Sequence, residues 1–227
     1  MTTSATPLRV LLDDGRSVSA LLQRPPSAAA CYVLAHGAGA GMTHPFMAAV
    51  ADGLAARGIA TLRYQFPYVE NGSRRPDTPT LAYATVRAAC HLARAQTGLT
   101  LIAGGKSFGG RMTSQAQAIE PLADVAGLAF LGFPLHAPDK PSIERAKHLT
   151  EVRVPMLFVQ GTRDKLAELS LITGVVGSLG AGATLRLIDH ADHGFEVLVR
   201  SGRKPAEVMT EVLDALAGWM RETVRAG

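Results

Sequence analysis

The sequence predicts an α/β fold in which helices cover both faces of a mostly parallel β-sheet. Short apolar runs, typical of strands buried on both faces, alternate along the chain with segments in which apolar residues recur at helical spacing. Turn-forming residues separate the two kinds of segment, and no internal repeat, low-complexity tract or linker interrupts them. Because 47% of the 227 residues are hydrophobic, we expect one well-buried core and a single domain over residues 1–227.

The strands are predicted from runs of apolar residues and, at the start of the chain, from a turn. Asp13-Asp14-Gly15 separates the first two runs and predicts a hairpin, which would add antiparallel strands at one edge of the sheet. A further strand opens the segment 99–112. The other predicted strands are 8–12, 17–23, 31–35, 59–64, 127–131, 155–160 and 183–188.

The helices are predicted from apolar residues that share one face. In the last helix, four apolar residues fall at i, i+4, i+7 and i+11 from Met209. Gly58 is the expected C-cap of the first helix, and a loop rich in turn formers is expected at 66–79. The predicted helices are 45–57, 81–95, 111–119, 142–150, 165–178 and 205–225.

Charge and hydropathy argue against several classes of partner. The formal net charge of +4 is modest, and Arg74-Arg75 and Arg203-Lys204 are the only adjacent basic pairs. A nucleic-acid-binding protein would gather such residues on one face with aromatic residues between them, so no nucleic-acid partner is expected. No apolar span is long enough for a membrane helix, and the first ten residues carry neither a charged leader nor an apolar stretch. We therefore expect no membrane partner and no signal peptide.

The two cysteines indicate a reducing environment. Cys31 and Cys90 lie in apolar segments and have no metal-ligand spacing. They predict buried free thiols, and hence a soluble cytoplasmic protein, rather than a disulfide or a metal site.

The segment 99–112, LTLIAGGKSFGGRM, contains the first sign of chemistry. Its apolar start is expected to turn through 104–110 and to continue as the helix 111–119. Gly105, Ser107 and Gly109 fit the pattern G-x-S-x-G, in which a serine sits on a tight turn between a strand and a helix. The pattern alone is common, so its context has to decide whether Ser107 is a nucleophile or a packing serine.

That context is a carboxylate and a histidine that each follow a predicted strand. Asp164 ends the phrase Gly161-Thr162-Arg163-Asp164 after strand 155–160, and His193 follows strand 183–188. In parallel sheets, reactive residues collect at the carboxyl ends of the strands. Ser107, Asp164 and His193 therefore predict a triad: the imidazole removes the hydroxyl proton, and the carboxylate orients the imidazole.

Two of these assignments have alternatives. Asp164 could instead cap the helix that follows it. His190 competes with His193 for the role of base, and we favour His193 because a glycine and an aromatic residue follow it. Asp189 and Asp192 are interpreted as loop carboxylates.

A glycine-rich loop after strand 31–35 is the expected source of an oxyanion hole. Acyl transfer places negative charge on a carbonyl oxygen, which two fixed N–H donors stabilise. We expect these donors to be the N–H groups of Ala38 and of Phe108, the residue after the nucleophile. His36 is expected to shape the loop. The alternative to an oxyanion hole is that the glycines of this loop form only a flexible turn.

These features together resemble the α/β-hydrolase superfamily, and more narrowly its small dienelactone-hydrolase-like members. The resemblance spans nearly the whole chain, and RYQFPY followed by Arg74-Arg75-Pro76 is similar to a cap-less subgroup that includes testis-expressed hydrolase-like proteins. The phrases that carry it are HGAGAGM (36–42), RYQFPY (63–68), GGKSFGGR (104–111), GTRD (161–164) and DHGF (192–195).

The resemblance implies an α/β-hydrolase fold with an eight-stranded, mostly parallel sheet and a serine-hydrolase triad at Ser107, Asp164 and His193. It implies no metal and no organic cofactor. The nucleophile of dienelactone hydrolases is a cysteine, whereas position 107 is serine, so dienelactone itself is not the expected substrate. Lys106 is unusual at such a turn and is expected either to pair with a carboxylate near the site or to face solvent.

The expected function is hydrolysis of carboxylic ester or thioester bonds of small acyl substrates through an acyl-enzyme. The connection 135–154 is too short for a cap domain, which predicts an open mouth and small or protruding substrates. The alternative is an inactive interaction module with the same fold. Residues proposed for the pocket are His36, Gly37, Tyr64, Tyr68, Lys106, Phe133 and Phe195, of which the four aromatic residues could equally be core.

Nucleotide binding is not expected. Gly105-Lys106-Ser107 is also the ending of a P-loop, but Thr100 stands where that motif needs a glycine. The glycines of 37–41 imitate a dinucleotide fingerprint, but Met42 occupies the position of its third glycine. The oligomeric state is left open by the sequence.

Overall fold

A computed structural model describes residues 3–226, so the ends of the predicted domain at residues 1, 2 and 227 lie outside it. Eight strands form one sheet in the order β1-β2-β4-β3-β5-β6-β7-β8. β1 and β2, and β2 and β4, pair antiparallel, while all the other neighbours pair parallel. The strands are β1 (Thr6–Leu11), β2 (Ser17–Gln23), β3 (Cys31–Ala35), β4 (Ala60–Tyr64), β5 (Leu101–Lys106), β6 (Val125–Leu131), β7 (Met156–Gly161) and β8 (Ala183–Ile188). The predicted mostly parallel sheet with an antiparallel hairpin at one edge is confirmed.

Helices cover both faces of this sheet. They are α1 (Pro45–Ala55), α2 (Pro67–Glu70), α3 (Pro79–Thr97), α4 (Phe108–Ile119), α5 (Leu169–Ser178) and α6 (Pro205–Ala226), with 3₁₀ segments at Glu144–Glu151, Gly180–Gly182 and Val199–Ser201. The apolar faces of α3, α4 and α5 contribute to one buried cluster, and those of α1 and α6 to a second.

The fully buried strand β3 shows how the sequence builds these two clusters. Val33 faces the cluster of α3 and α4, while its neighbours Tyr32 and Leu34 face the cluster of α1 and α6. Successive side chains of a strand point to opposite faces, so a strand covered by helices on both sides must be apolar at every position.

Several helix boundaries differ from the predictions. α1 ends at Ala55, before the predicted position 57, and Gly58 follows in the left-handed region at φ +74°. α5 begins at Leu169 and not at 165, because the preceding residues form a turn on Asp164, whose carboxylate accepts a hydrogen bond from the Leu166 N–H. The short helix α2 lies in the segment 66–79 that was predicted as loop. The predicted helix 142–150 is a 3₁₀ segment.

The turn after β5 is much tighter than the predicted turn over 104–110. Gly104 and Gly105 still belong to the strand and directly precede its last residue, Lys106, with φ of +153° and +151°. The helix α4 already begins at Phe108. Only Ser107 lies between strand and helix. A Cβ on Gly105 would collide with the Ala35 carbonyl oxygen of β3, so β3 and β5 approach each other more closely than a side chain allows.

Both cysteines are buried. Cys31 is 0% and Cys90 is 3% exposed, and neither forms a disulfide. Burial raises the pKa of each thiol to about 12. Within residues 3–226, no helix combines the length and the hydropathy that crossing a bilayer requires.

The close approach at Gly105 predicts a specific stability defect. Gly105→Ala should lower the free energy of unfolding by about 2–4 kcal/mol, since backbone atoms of β3 would have to move. Urea unfolding followed by circular dichroism measures it. The matched control is Gly174→Ala in α5, where an added Cβ meets no atom within 4 Å, and which should raise stability by about 0.5–1 kcal/mol. Equal effects of the two substitutions would contradict this account.

Candidate active site

Ser107 stands at a strained turn at the carboxyl end of β5. Its backbone adopts φ +50° and ψ −113°, outside the regions that non-glycine residues favour, which costs on the order of 1–3 kcal/mol. The turn is held in place by the surrounding backbone. Its N–H donates to the Leu131 carbonyl oxygen at 3.0 Å, and an added Cβ on Gly109 would lie 2.5 Å from the His36 carbonyl oxygen. α4 therefore packs directly against the end of β3, and Ser107 has no room for a relaxed conformation.

The structure brings the three predicted triad side chains together. His193 Nε2 lies 2.9 Å from Ser107 Oγ, and His193 Nδ1 lies 2.7 Å from Asp164 Oδ2. Asp164 is directed at the ring from the turn after β7, and His193 from the loop after β8. With Nδ1–H donated to the carboxylate, Nε2 is left as an acceptor for the serine proton.

A buried set of donors fixes the Asp164 carboxylate. Its side chain is 0% exposed, and Oδ2 accepts a second hydrogen bond from Gln160 Nε2 at 2.6 Å. Oδ1 accepts the Leu166 N–H at 2.8 Å. Gln160 in turn accepts the Phe133 N–H at 2.9 Å, which locks its amide. Sequence reasoning did not single out Gln160. The available signal was an amide at the end of an apolar run, since a buried amide must find partners.

His190 and Asp192 make contacts other than those of the predicted triad, and Asp164 does not cap α5. His190 is exposed, and its backbone, not its ring, makes contacts: its N–H donates to Thr162 Oγ1 and its carbonyl oxygen accepts from Arg163. The N-cap of α5 is Glu168, so Asp164 caps a turn and not that helix. Asp192 accepts the N–H groups of Gly194 and Glu196 and so shapes the loop that carries His193.

Lys106 follows neither of its two predicted alternatives. Its ammonium donates to the His193 carbonyl oxygen at 2.5 Å, and no carboxylate of residues 3–226 lies within ion-pair distance of it. Phe46 and Phe195 stack on each other 5.9 Å apart, and the ammonium lies 5.9 and 5.5 Å from their ring centroids. Burial lowers the pKa of Lys106 to about 8. Lys106 thus links the turn that carries Ser107 to the loop that carries His193.

Two unoccupied N–H donors lie beside Ser107. Ala38, Ser107 and Phe108 border one cavity, and Phe108 is the first residue of α4, where helix N–H groups point outward without intrahelical partners. Within residues 3–226, neither the Ala38 N–H nor the Phe108 N–H donates a hydrogen bond. The assignment of these two N–H groups to an oxyanion hole stays a prediction.

His36 is built into the glycine-rich loop. Its Nδ1 lies 2.9 Å from the Gly37 carbonyl oxygen, and its Nε2 accepts the Phe66 N–H at 3.1 Å. These two contacts require a neutral ring with its proton on Nδ1. The ring is 0% exposed, and this burial lowers the pKa of His36 to about 4. His36 therefore shapes the loop and does not exchange protons with a substrate.

The cavity above Ser107 has a volume of about 480 Å³, and its walls are not the predicted ones. None of the seven proposed pocket residues borders it. Tyr64 and Phe133 are 0% and 1% exposed, because large aromatic side chains bury most area in the core. Tyr68 packs on His36, and Phe195 stacks on Phe46. His36, Gly37 and Lys106 do not border the cavity either. His36 contacts Gly37 and Lys106 contacts the His193 backbone, so they stabilise the loops of the site. The cavity is lined by Ala38, Pro76, Asp77, Pro79, Ser107, Phe108, Arg111, Met112, Pro134, His136, Ala137, Pro138, Arg145 and Leu166.

A second serine–histidine pair lies nearby, but its serine is buried inside a helix. Ser114 Oγ lies 2.8 Å from His148 Nε2 and also donates to the Arg111 carbonyl oxygen. Ser114 is 0% exposed in the middle of α4. No carboxylate of residues 3–226 hydrogen-bonds to the His148 ring. Burial, reinforced by the Arg111 charge, lowers the pKa of His148 to about 4. This pair links α4 to the 3₁₀ segment Glu144–Glu151.

Comparisons with known proteins agree with this architecture. A family model described as an alpha/beta hydrolase domain matches residues 28–221. A dienelactone hydrolase from Anabaena variabilis superposes with a TM-score of 0.78 at 21% identity, covering 98% of this chain and 99% of that chain. A serine hydrolase without lid from Xanthomonas campestris gives 0.72 at 19% identity, with 96% of each chain covered. An alpha-beta serine hydrolase homologue from Coxiella burnetii gives 0.73 at 19% identity, covering 94% of this chain and 97% of that chain. At these identities the likeness shows a shared fold.

The buried neutral ring of His36 predicts a dependence of stability on acid. Its pKa is about 4 in the folded chain and near 6.5 in the unfolded chain, so the unfolded state binds the proton first. Stability should therefore fall as the pH drops from about 6.5 to about 4. The loss should be about 1.4 kcal/mol for each pH unit within this range. Urea unfolding at several pH values measures this. His36→Gln should make the dependence less steep and leave the part that the similarly lowered pKa of His148 contributes, whereas exchange of the exposed His91 for Gln should leave it as steep as in the parent chain.

Proposed function

The chain belongs to the alpha/beta hydrolase family, and we propose that it is a serine hydrolase that cleaves carboxylic ester or thioester bonds of small acyl substrates. The observation that carries this proposal is the continuous chain of hydrogen bonds from Ser107 Oγ through the His193 ring to the buried Asp164 carboxylate. A serine hydroxyl is a poor nucleophile until a neighbouring base can take its proton. Here that base stands at 2.9 Å and is oriented by a third group.

In the first half of the reaction, Ser107 Oγ attacks the acyl carbon as His193 Nε2 takes the hydroxyl proton. The carbonyl oxygen becomes negative and lies between the N–H groups of Ala38 and Phe108. His193 then returns the proton to the departing alcohol or thiol, the bond to the acyl carbon breaks, and the acyl group remains as an ester of Ser107.

In the second half, water replaces the alcohol or thiol. His193 Nε2 takes a proton from the water as its oxygen attacks the acyl carbon, and the same two N–H groups again hold the oxyanion. Collapse of this intermediate breaks the bond to Ser107 Oγ, which recovers its proton from His193. The products are a carboxylic acid and the free enzyme, and the cycle consumes one water.

The carboxylate of Asp164 stabilises the imidazolium in both halves. It is held by Gln160 and by the Leu166 N–H, so it does not need to reorient when the ring becomes charged. Lys106 donates a hydrogen bond to the backbone carbonyl oxygen of His193. Both anchors keep the ring at hydrogen-bonding distance from Ser107, and no cofactor enters any step.

The surroundings of the site favour small or protruding substrates. Between β6 and β7, the described chain holds a single 3₁₀ segment, Glu144–Glu151, and no helical cap. The proposal includes a single domain over residues 1–227 that acts on small molecules. The buried free thiols of Cys31 and Cys90 support a cytoplasmic location as part of it.

Active-site labelling tests the nucleophile. A fluorophosphonate probe should modify Ser107 covalently, since it traps a serine that is paired with a base. Intact-mass and peptide mass spectrometry would show one adduct on the peptide that contains residue 107. Ser107→Ala should abolish the adduct and should lower hydrolysis of 4-nitrophenyl esters by about three orders of magnitude or more.

The chain supplies its own control for this experiment. Ser114→Ala removes the other serine that is paired with a histidine, and it should leave the labelling intact. Folded protein that takes up no probe and cleaves neither 4-nitrophenyl esters nor acyl thioesters of increasing chain length would overturn the proposal. An interaction module with this fold would then be the better description.

The role of Asp164 gives a second kinetic prediction. Asp164→Asn should lower kcat by about 10³–10⁴, because an amide cannot hold the Nδ1–H tautomer or stabilise the imidazolium. Steady-state kinetics on a 4-nitrophenyl ester measure the loss, with circular dichroism as the test of folding. Asp189→Asn changes a neighbouring loop carboxylate outside the hydrogen-bonded chain and should retain parental kcat. A similar loss in both variants would contradict this role.

A further inference from the structure

The cavity above Ser107 contains two guanidinium groups without a carboxylate partner. Arg111 is four residues after Ser107 on α4, and Arg145 lies on the 3₁₀ segment Glu144–Glu151. Within residues 3–226, neither forms an ion pair or a side-chain hydrogen bond, whereas Arg57 pairs with Asp214 at the surface. Unpaired arginines usually point into solvent, but both of these are partly buried and border the same cavity.

The two charges act on each other. Burial lowers the pKa of Arg111, and the charge of Arg145 lowers it further. Arg111 lies over the ring of Phe108, 5.9 Å from its centroid, and its Nε is buried without a hydrogen-bond partner. Bringing two cations together in a half-buried place costs free energy unless an anion joins them. Folding alone gives no reason for this arrangement.

A third polar group on the cavity wall also lacks a partner. His136 is 3% exposed, its Nδ1 contacts the Ala137 carbonyl oxygen at 2.8 Å, and its Nε2 is buried with no hydrogen bond. One carboxylate, Asp77, borders the cavity as well. It accepts the Tyr68 N–H at 3.1 Å, and burial raises its pKa, so it is engaged with its own loop. The cavity wall therefore combines two unpaired cations with one carboxylate that is engaged elsewhere and one histidine nitrogen without a partner.

We propose that Arg111 and Arg145 bind a second, anionic group of the substrate, a carboxylate or a phosphate, while its ester or thioester carbonyl lies at Ser107. This inference rests on the proposed function, because it concerns the substrate of the same site. Guanidinium groups bind planar and tetrahedral oxyanions through paired N–H donors. Since a helix rises about 6 Å over four residues, the anion would lie only a few bonds from the reacting carbonyl.

The geometry therefore favours short substrates with a charge at the end of the acyl chain over uncharged or long-chain esters. Removing one cation from a charge-assisted pair costs about 1.5–3 kcal/mol, which corresponds to about 10–150-fold in kcat/KM. The effect should weaken with salt, because both arginines retain some contact with solvent.

The test compares two esters of similar length. Mono-4-nitrophenyl glutarate carries a terminal carboxylate, and 4-nitrophenyl pentanoate is neutral. The parent enzyme should prefer the anionic ester by at least about tenfold in kcat/KM, and raising salt from about 50 to about 500 mM should reduce that preference. Arg145→Gln should lower the ratio of the two kcat/KM values by about tenfold, and Arg111→Gln should lower it in the same direction.

The matched control is Lys147→Gln. It removes one positive charge from the same 3₁₀ segment, but Lys147 is 66% exposed, pairs with Glu144 and does not border the cavity. It should leave the ratio unchanged. Arg145→Lys keeps the charge and should retain part of the preference, so the proposal stays testable if Arg145→Gln does not fold.

Inhibition of pentanoate-ester hydrolysis identifies the anion. Stronger inhibition by glutarate than by 3-phosphonopropionate assigns the site to carboxylates, and the reverse order assigns it to phosphates; inhibition by neither contradicts an anion site. Cleavage of the pentanoate ester without preference for the glutarate ester, or a ratio that survives Arg145→Gln, would overturn this inference and leave the proposed function standing. Absence of hydrolysis and of fluorophosphonate labelling would instead refute the proposed function.

Discussion

The contact between backbone atoms of β3, β5 and α4 is the constraint on which the rest of the site depends. Gly105 and Gly109 let the strand and the helix approach the end of β3 at distances that a Cβ would block. At this approach Ser107 adopts a positive φ, and its N–H donates a hydrogen bond to the Leu131 carbonyl oxygen. The strain at this turn is balanced by the packing of the sheet. The Ser107 side chain is therefore positioned by closely packed backbone atoms of the central strands.

The histidines near this turn have different hydrogen-bond partners. His36 is fully buried and His148 is partly buried, and burial lowers the pKa of each ring to about 4. His193 differs from both because its ring, whose side chain is 24% exposed, contacts the fully buried carboxylate of Asp164. The carboxylate fixes the orientation of this ring through its Nδ1 and leaves Nε2 directed at Ser107 Oγ. Lys106 adds a direct link between the turn that carries Ser107 and the backbone of His193.

Much of this arrangement could be predicted from the sequence because it depends on local patterns. Strand β3 was predicted with its observed bounds, since five consecutive buried residues leave little ambiguity. Triad candidates were found because the carboxyl ends of parallel strands lie at one edge. The tight turn was misjudged, because glycines at 104 and 105 are typical of loops and only the packing of β3 explains them in a strand. The pocket walls were misplaced because aromatic residues serve the core as readily as a cavity. Arg111 and Arg145 have no local signature; only their three-dimensional proximity sets them apart from surface arginines.

The two cysteines have a practical consequence for anyone who wishes to attach a dye or a spin label. Maleimides and related reagents attack thiolates, and here both sulfur atoms are enclosed and hold their protons up to a pH of about 12. A cysteine introduced at Val199, which is 97% exposed, would be the one thiol within reach. The segment Val199–Ser201 could thus be labelled without first replacing Cys31 and Cys90.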